Sequence, residues 1–355
     1  MPEKRKMSLD EIRSLHGGYW RYDILDFHYL YNHYFPPKEL IERLQEKLPK
    51  IIDNYPSTHK VIAKSLAKWK DDEWFNENNL VLGNGSSELI KVLNQIMPKV
   101  TVPIPIFNEY VQLPKERMNL FLVGEADKFK IDIGALIDSI EESKSEFVVL
   151  NNPNNPIGNV LAKSDIEKLL ETGVKVVVDE AFIDFCRDLS VEDLVPKYKN
   201  LIVIYSCTKS MGFAGLRLGY MLTTNEEVKE KVKGLLPIWN INSIAEAFIE
   251  IFPDFRKDYE NSIKKTLDDK KYLFEKLKEI PFLEPYESCT NFVFCKTSVS
   301  ARKLAEILYG RYNILIKDGL NQASLKSDSY VRMGVKTKED NDKLIEALKQ
   351  IRENT

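Results

Sequence analysis

The stretch Leu201-Ile202-Val203-Ile204-Tyr205-Ser206-Cys207-Thr208-Lys209 runs on through Ser210 and Met211 into Gly212-Phe213-Ala214-Gly215-Leu216-Arg217-Leu218-Gly219-Tyr220. It opens with an apolar, β-branched run of the length that suits a strand buried on both faces. Two hydroxyls follow, Ser206 and Thr208, and then a lysine. A lysine just past a buried strand sits where desolvation lowers its pKa, which favours a nucleophilic amine. Arg217 adds a fork suited to a phosphate. A lysine by itself is ordinarily a solvated surface group, so the rest of the chain must supply the context.

Similar short apolar runs, bounded by turn residues, recur at 80–82, 99–102, 120–123, 147–150, 176–178 and 217–221. Helical patterns separate several of them. One begins near Ser164, with Glu167 three residues on in the manner of a capping box, and stops before Gly173. This alternation predicts an α/β fold: a large domain with a mostly parallel sheet flanked by helices, whose ligands gather at the carboxyl ends of strands. The last third changes character. Charged helices around 258–279, 298–310 and 338–351, the last capped by Thr337 and Asp340, alternate with Asn291-Phe292-Val293-Phe294 and Tyr330-Val331-Arg332-Met333. That predicts a smaller α+β domain. The stretch to about Pro37, rich in Tyr and His and weak in periodicity, reads as an ordered arm, and a helix carrying Leu40, Ile41, Leu44 and Leu48 follows it. The expected division is an arm and linking helix at 1–50, a large domain at 51–245 and a small domain at 246–355.

With 355 residues, 43% of them hydrophobic, the chain is long enough for two cores. A formal charge of -3 argues against a nucleic-acid tract or a polybasic membrane patch. No apolar run approaches the roughly 20 residues that cross a bilayer. The charged start leads straight into Ser8-Leu9-Asp10-Glu11 with no apolar export segment, so a cytoplasmic protein is expected. Cys186, Cys207, Cys289 and Cys295 are scattered without a CxxC pair and read as core thiols in a reducing compartment. No metal site is expected.

Three further elements join Lys209. In Val176-Val177-Val178-Asp179-Glu180-Ala181-Phe182 a carboxylate ends an apolar strand. A buried carboxylate needs a cationic partner. A salt bridge is the plainer explanation; a protonated pyridine nitrogen would also serve, and would make that ring an electron sink. Asn151-Asn152-Pro153-Asn154-Asn155-Pro156-Ile157-Gly158 forms a rigid turn that leaves an amide across the strand ends. Gly83-Asn84-Gly85-Ser86-Ser87-Glu88 is a glycine turn between strand and helix, whose free N–H groups attract phosphate.

Together and in this order, these four elements resemble the fold-type-I pyridoxal-phosphate (PLP) enzymes of aminotransferase class I/II. The histidinol-phosphate aminotransferase and threonine-phosphate decarboxylase branches are the nearest in kind. The resemblance implies PLP as cofactor, carried by Lys209 as a Schiff base. It implies Asp179 on the pyridinium nitrogen and Asn155 on the ring 3-oxygen. Ser86, Ser87, Ser206, Thr208 and Arg217 would hold the phosphate, and Phe107 would stack on the ring. Tyr55 resembles the tyrosine that reaches the neighbouring subunit's phosphate, which implies a homodimer with shared sites. Arg332 matches the substrate-carboxylate arginine, and Asn291 resembles an asparagine near it.

Two positions depart from the pattern. Phe182 replaces a tyrosine that bonds the 3-oxygen in many aminotransferases, as it also does in the decarboxylase branch. Lys317 stands where histidinol-phosphate enzymes carry a phosphate-binding arginine, keeping the charge but not the fork. His16-Gly17-Gly18 partly matches the His-Gly-Gly start of the decarboxylases, where an arm covers the substrate. Asn32, in the cluster Tyr29-Leu30-Tyr31-Asn32-His33-Tyr34, is either packing or a substrate contact. The expected activity is transamination, between an amino donor and a keto acid, of a small substrate carrying a phosphate or phosphonate. The alternatives are decarboxylation of a phosphorylated amino acid and PLP binding without turnover.

Overall fold

The computed structural model describes residues 7–318, 325 and 328–351. The chain opens with a short helix, Leu9–Ser14, closed by a reciprocal cap: Ser8 N–H donates to Glu11 Oε2 (2.7 Å) and Glu11 N–H to Ser8 Oγ (3.2 Å). Strand β1 (Leu25–Asp26) follows, then helices Lys38–Ile52 and His59–Ala67. The central sheet contains β2 (Leu80–Asn84), β3 (Val100–Ile104), β4 (Met118–Leu122), β5 (Phe147–Asn151), β6 (Lys175–Asp179), β7 (Leu201–Ser206) and β8 (Leu218–Leu222). Their order is β2-β8-β7-β6-β5-β3-β4, and β8 alone runs against its neighbours. The fold class is the expected one, a mostly parallel sheet flanked by helices.

Alternation along the inner strands explains why this sheet is covered on both sides. Val176 and Val178 enter one core with Val148, Leu150, Leu201 and Val203, while Val177 enters the opposite core with Val149, Ile202 and Ile204. Each fully buried aliphatic contributes roughly 1.5–3 kcal/mol. β4 departs from the expectation of two buried faces. It is the edge strand, and Leu120 and Leu122 are exposed.

A second, three-stranded sheet joins β9 (Leu283–Pro285), β10 (Phe292–Thr297) and β12 (Tyr330–Gly334), in the order β12-β10-β9. Helices Arg256–Lys278, Ala301–Tyr312 and Lys338–Lys349 pack on it, and Thr337 Oγ1 caps the last by accepting from Asp340 N–H. The arm docks here. β1 pairs in parallel with β11 (Ile314–Leu315), and Leu9, Ile12, Tyr19 and Phe27 share the core of Leu273, Leu308 and Met333. Arg302 forks onto Asp10 at 2.7 and 2.8 Å. The capping box expected at Ser164 does not form. The helix runs Lys163–Glu171 with Ala162 at its N-cap, and Glu167 instead accepts from Lys197 Nζ at 3.0 Å. Among the described residues, no helix is long and apolar enough to cross a membrane.

Candidate active site

Parallel strands deliver their last residues to one edge of the sheet, and the site is built there. Asn151 ends β5, Asp179 ends β6 and Ser206 ends β7, with Lys209 in the helical turn Cys207–Ser210 immediately beyond. Ser86, Ser87, Phe107, Asn155, Asp179, Ser206, Thr208, Lys209 and Arg217 line a single cavity with Ala181 and Phe182. Nine positions singled out in the sequence therefore converge.

At one end of the cavity lies an anion cradle. Gly85 is the N-cap of helix Ser86–Ile96, so that helix's free N–H groups open onto the cavity. Its φ is +76°, and a Cβ there would sit 2.5 Å from Arg217 Nη2, so glycine is required. Arg217 donates to Ser87 Oγ at 3.0 Å, and the hydroxyls of Ser206 and Thr208 lie 2.9 Å apart. A cation, three hydroxyls and a helix N-terminus suit a phosphate.

In the middle, burial pushes the Lys209 amine down to about 8, helped by the positive Arg332 and Arg217 and opposed by Asp179. An appreciable fraction is then neutral near physiological pH. Asp179 is only 2% exposed, and burial raises its carboxyl to about 6 against the Ala181 N–H bond (3.0 Å), the neighbouring Tyr110 hydroxyl and the charge of Lys209. A cation placed against it would restore its ordinary ionisation. Asn155 is held by its own N–H, which donates to Asn151 Oδ1 at 2.9 Å.

Next to the cavity, Arg332 of β12 donates to Asn155 Oδ1, on its wall, and to the His28 carbonyl (2.9 Å), while its Nε is buried without a partner among the described residues. Burial depresses this guanidinium to about 10, and Asp26 and Tyr29 oppose the shift. Both polar atoms of the Asn291 side chain are also buried and lack a partner among the described residues. Lys317 is paired with Arg332 through backbone bonds of 3.1 and 2.8 Å. Arg13 reaches the same place from the arm, in an ion pair with Asp318. Half-buried His28 is held neutral, its pKa lowered to about 2 by desolvation first and then by Lys317, Arg332 and Arg13.

The remaining expected positions lie elsewhere. Tyr55 is 79% exposed and stacks on Trp239 (4.6 Å, 28°), away from this chain's own cavity. His16 is exposed at φ 49° and does not line the cavity. Asn32 is not free to meet a substrate. Its Nδ2 donates to Ser210 O (2.8 Å) and Ser262 Oγ (2.7 Å), and its Oδ1 accepts from Tyr34 N–H (2.9 Å) and Thr266 Oγ1 (3.0 Å). That exhausts an asparagine side chain. Its own N–H donates to Lys209 O at 2.9 Å, so Asn32 braces the lysine from behind. Sequence reasoning missed Arg13, the placement of His28, and Tyr110 beside Asp179. For Arg13 the only local signal was its capped helix.

A family model for aminotransferase class I and II matches residues 26–348. The chain belongs to that family. Its cofactor is pyridoxal 5'-phosphate, and the donor set fits: a phosphate cradle, a buried carboxylate lacking a full cationic partner, and a lysine of lowered pKa between them. Among its relatives is the CMP-5'-(3-aminopropyl)phosphonate synthase of Streptomyces rubellomurinus, 32% identical over 96% of this chain. This chain spans only 55% of that protein's length. The histidinol-phosphate aminotransferase of Clostridium novyi is 32% identical over 88% of this chain and 87% of its own. A solved decarboxylase from Sulfurospirillum multivorans superposes with a TM-score of 0.84 at 27% identity, over 98% of this chain and 92% of that one.

Proposed function

We propose that this chain is a transaminase whose substrate is a small amino acid or amine bearing a phosphate or phosphonate. The observation that supports it most is the gathering of Arg332, Lys317 and Arg13 around a neutral His28, with Arg332 bonded to Asn155 of the cavity wall. A guanidinium buried with an unpaired Nε is unfavourable unless an anion completes it. Lys317 adds a positive centre beyond Arg332 for a second anion, and Arg13, paired with Asp318, stands beside it. That pattern accords with relatives named for a phosphonate and for histidinol phosphate.

When bound, the cofactor supplies an electron sink that weakens whichever bond at the substrate α-carbon stands perpendicular to its ring. The protein's part is to choose that bond. In this reading Arg217, Ser87, Ser206 and Thr208 fix the cofactor phosphate, and Asp179 keeps the ring nitrogen protonated. Arg332, tied to Asn155, would hold the substrate carboxylate and so present the α-hydrogen to Lys209. The Lys209 amine then takes and returns that proton. Lys317 and Arg13 hold the distal anion, and neutral His28 adds no further charge to the cluster. Tyr55 belongs to the neighbouring subunit's site in a homodimer. Trp239, stacked on Tyr55, and the exposed Ile52, Val61, Ile238 and Ile244 supply apolar surface for such a contact.

A second reading, decarboxylation, draws on the arm. Because Arg13 joins Lys317 from that segment, the distal anion could dictate the pose and leave the carboxylate upright instead. Phe182, packed edge-on against Phe292 (5.2 Å, 82°), brings no hydroxyl to the ring, as in the decarboxylase-like branch. The test is a half-reaction with phosphorylated and phosphonate amines and no keto acid. Accumulation of the pyridoxamine form, reversed by a keto acid, is expected. Release of carbon dioxide with the cofactor spectrum unchanged would assign the second reading, and no reaction with any such amine would overturn both.

A further inference from the structure

Strand β7 ends between two cavities. Its last residue, Ser206, lines the candidate active site, and the preceding Tyr205 lines a second cavity of about 380 Å³ that shares no lining residue with the first. That volume is of the size that takes a small organic molecule. Aromatic rings make much of its wall. Tyr205 stacks on Tyr220 (4.6 Å, 14°), Trp69 meets Phe252 (4.5 Å, 46°), and Phe252 meets Tyr259 edge-on (5.5 Å, 70°). Lys70 and Arg187 on the same wall are both paired with buried Glu192. The Tyr259 hydroxyl completes no hydrogen bond of good geometry among the described residues.

The mouth is charged. Arg256, Glu260 and Lys264 recur every fourth residue along the first turns of helix Arg256–Lys278, so they share one face, and all three are exposed at the edge of the cavity. Two positive charges against one negative favour an anion there. Rings within and cations at the mouth together suit an aromatic body that carries a carboxylate.

The same helix is tied to Lys209. Ser262 Oγ accepts from Asn32 Nδ2 (2.7 Å), and Thr266 Oγ1 donates to Asn32 Oδ1 (3.0 Å). Asn32 in turn bonds Lys209 O through its N–H (2.9 Å) and Ser210 O through Nδ2 (2.8 Å). Asp184, on the cavity wall, accepts from Ser210 Oγ. Because the Asn32 side chain has no bonding capacity left, a displacement of the helix breaks bonds on the Lys209 side rather than exchanging them.

We infer that this second cavity is an effector site for a small aromatic carboxylic acid. The ring packs among Trp69, Tyr205, Phe252 and Tyr259, and the carboxylate meets Arg256 and Lys264. Its binding shifts the head of helix Arg256–Lys278 and slows the enzyme through Asn32 and the turn that carries Lys209.

Indole-3-acetate is the probe, since it has neither an amine nor a keto group to react with the cofactor. Calorimetry of the holoenzyme measures its binding, and the rate at which an amine changes the cofactor absorbance measures its effect. The expected result is one site per chain and, at saturation, a kcat lower by roughly fivefold or more with KM for the amine little changed. Ile263→Trp, which fills the cavity, should abolish binding. Lys264→Glu, on the exposed rim, should weaken binding by roughly tenfold or more, the worth of a charge-assisted contact, and leave the rate without probe unchanged. The absence of saturable binding at millimolar concentration would overturn the inference, as would binding of undiminished strength in Lys264→Glu. Inhibition competitive with the amine, or binding at an unchanged rate, would overturn it too. The calorimetric arm needs no knowledge of the natural amine, so its failure is distinct from a failure of the proposed transamination.

Discussion

Replacing Asp179 with asparagine changes one charge and almost no shape, and its consequences have opposite signs in the two forms of the protein. Without cofactor, burial raises the Asp179 carboxyl from 3.8 to about 6. The folded state then binds its proton more tightly than the unfolded state does. Stability contributed by the protonated group is present below about pH 4 and is lost as pH rises through 6. At 1.36 kcal/mol per pKa unit, the charged form burdens the cofactor-free protein by roughly 3 kcal/mol above pH 7. Asp179→Asn removes that burden. The cofactor-free variant should melt above the wild type at pH 8, and the gap should close near pH 4. With cofactor the order reverses. An ion pair at about 4 Å contributes about 4 kcal/mol at an effective dielectric of 20, so the ring nitrogen loses its protonated state and the amine half-reaction slows by roughly a thousandfold. Calorimetry of both forms across pH, together with stopped-flow absorbance, measures both effects. Near-normal rates in the variant would refute the placement of the ring nitrogen, and a cofactor-free variant less stable than wild type at pH 8 would refute the burial argument.

Three further substitutions probe separate parts of the site. Arg13→Ala should lower kcat/KM for a phosphorylated amine by roughly tenfold or more, the worth of a charge-assisted hydrogen bond, while the same amine without phosphate is little affected; equal losses on both would remove Arg13 from the anion site. Asn32→Ala should cost roughly 2–4 kcal/mol in unfolding free energy, because it strands several buried partners. Its kcat should fall with KM nearly unchanged, and a rise in KM alone would return Asn32 to the substrate. Tyr55→Phe should weaken cofactor retention by about 1 kcal/mol, one hydrogen bond, in a protein that sediments as a dimer. A fully active monomer at micromolar concentration would remove the shared site.

Much of this arrangement was legible because it is local. The runs at 147–150, 176–178 and 201–204 are apolar on both faces and became β5, β6 and β7. Asn151, Asp179 and Ser206 end those strands, so sequence position alone brought their chemistry to one edge. What was not legible depends on contacts between distant segments. Arg13 reaches the site only because Leu9 and Ile12 dock its helix into a core built from residues beyond 270. Asn32 looked available for a substrate because Ser210, Ser262 and Thr266, which saturate it, come from three other places in the chain. The capping misreading at Ser164 arose from a pattern shifted by two residues, with Glu167 drawn away by Lys197 and Tyr198.

The central claim is that Lys209 carries the cofactor. Borohydride reduction of the native holoenzyme, followed by peptide mapping, tests it most directly. The account predicts one labelled peptide, containing Lys209, and none in Lys209→Ala, which should still bind the cofactor through its phosphate but turn over almost no substrate. A label on any other lysine, or a reducible attachment that survives in Lys209→Ala, would contradict it.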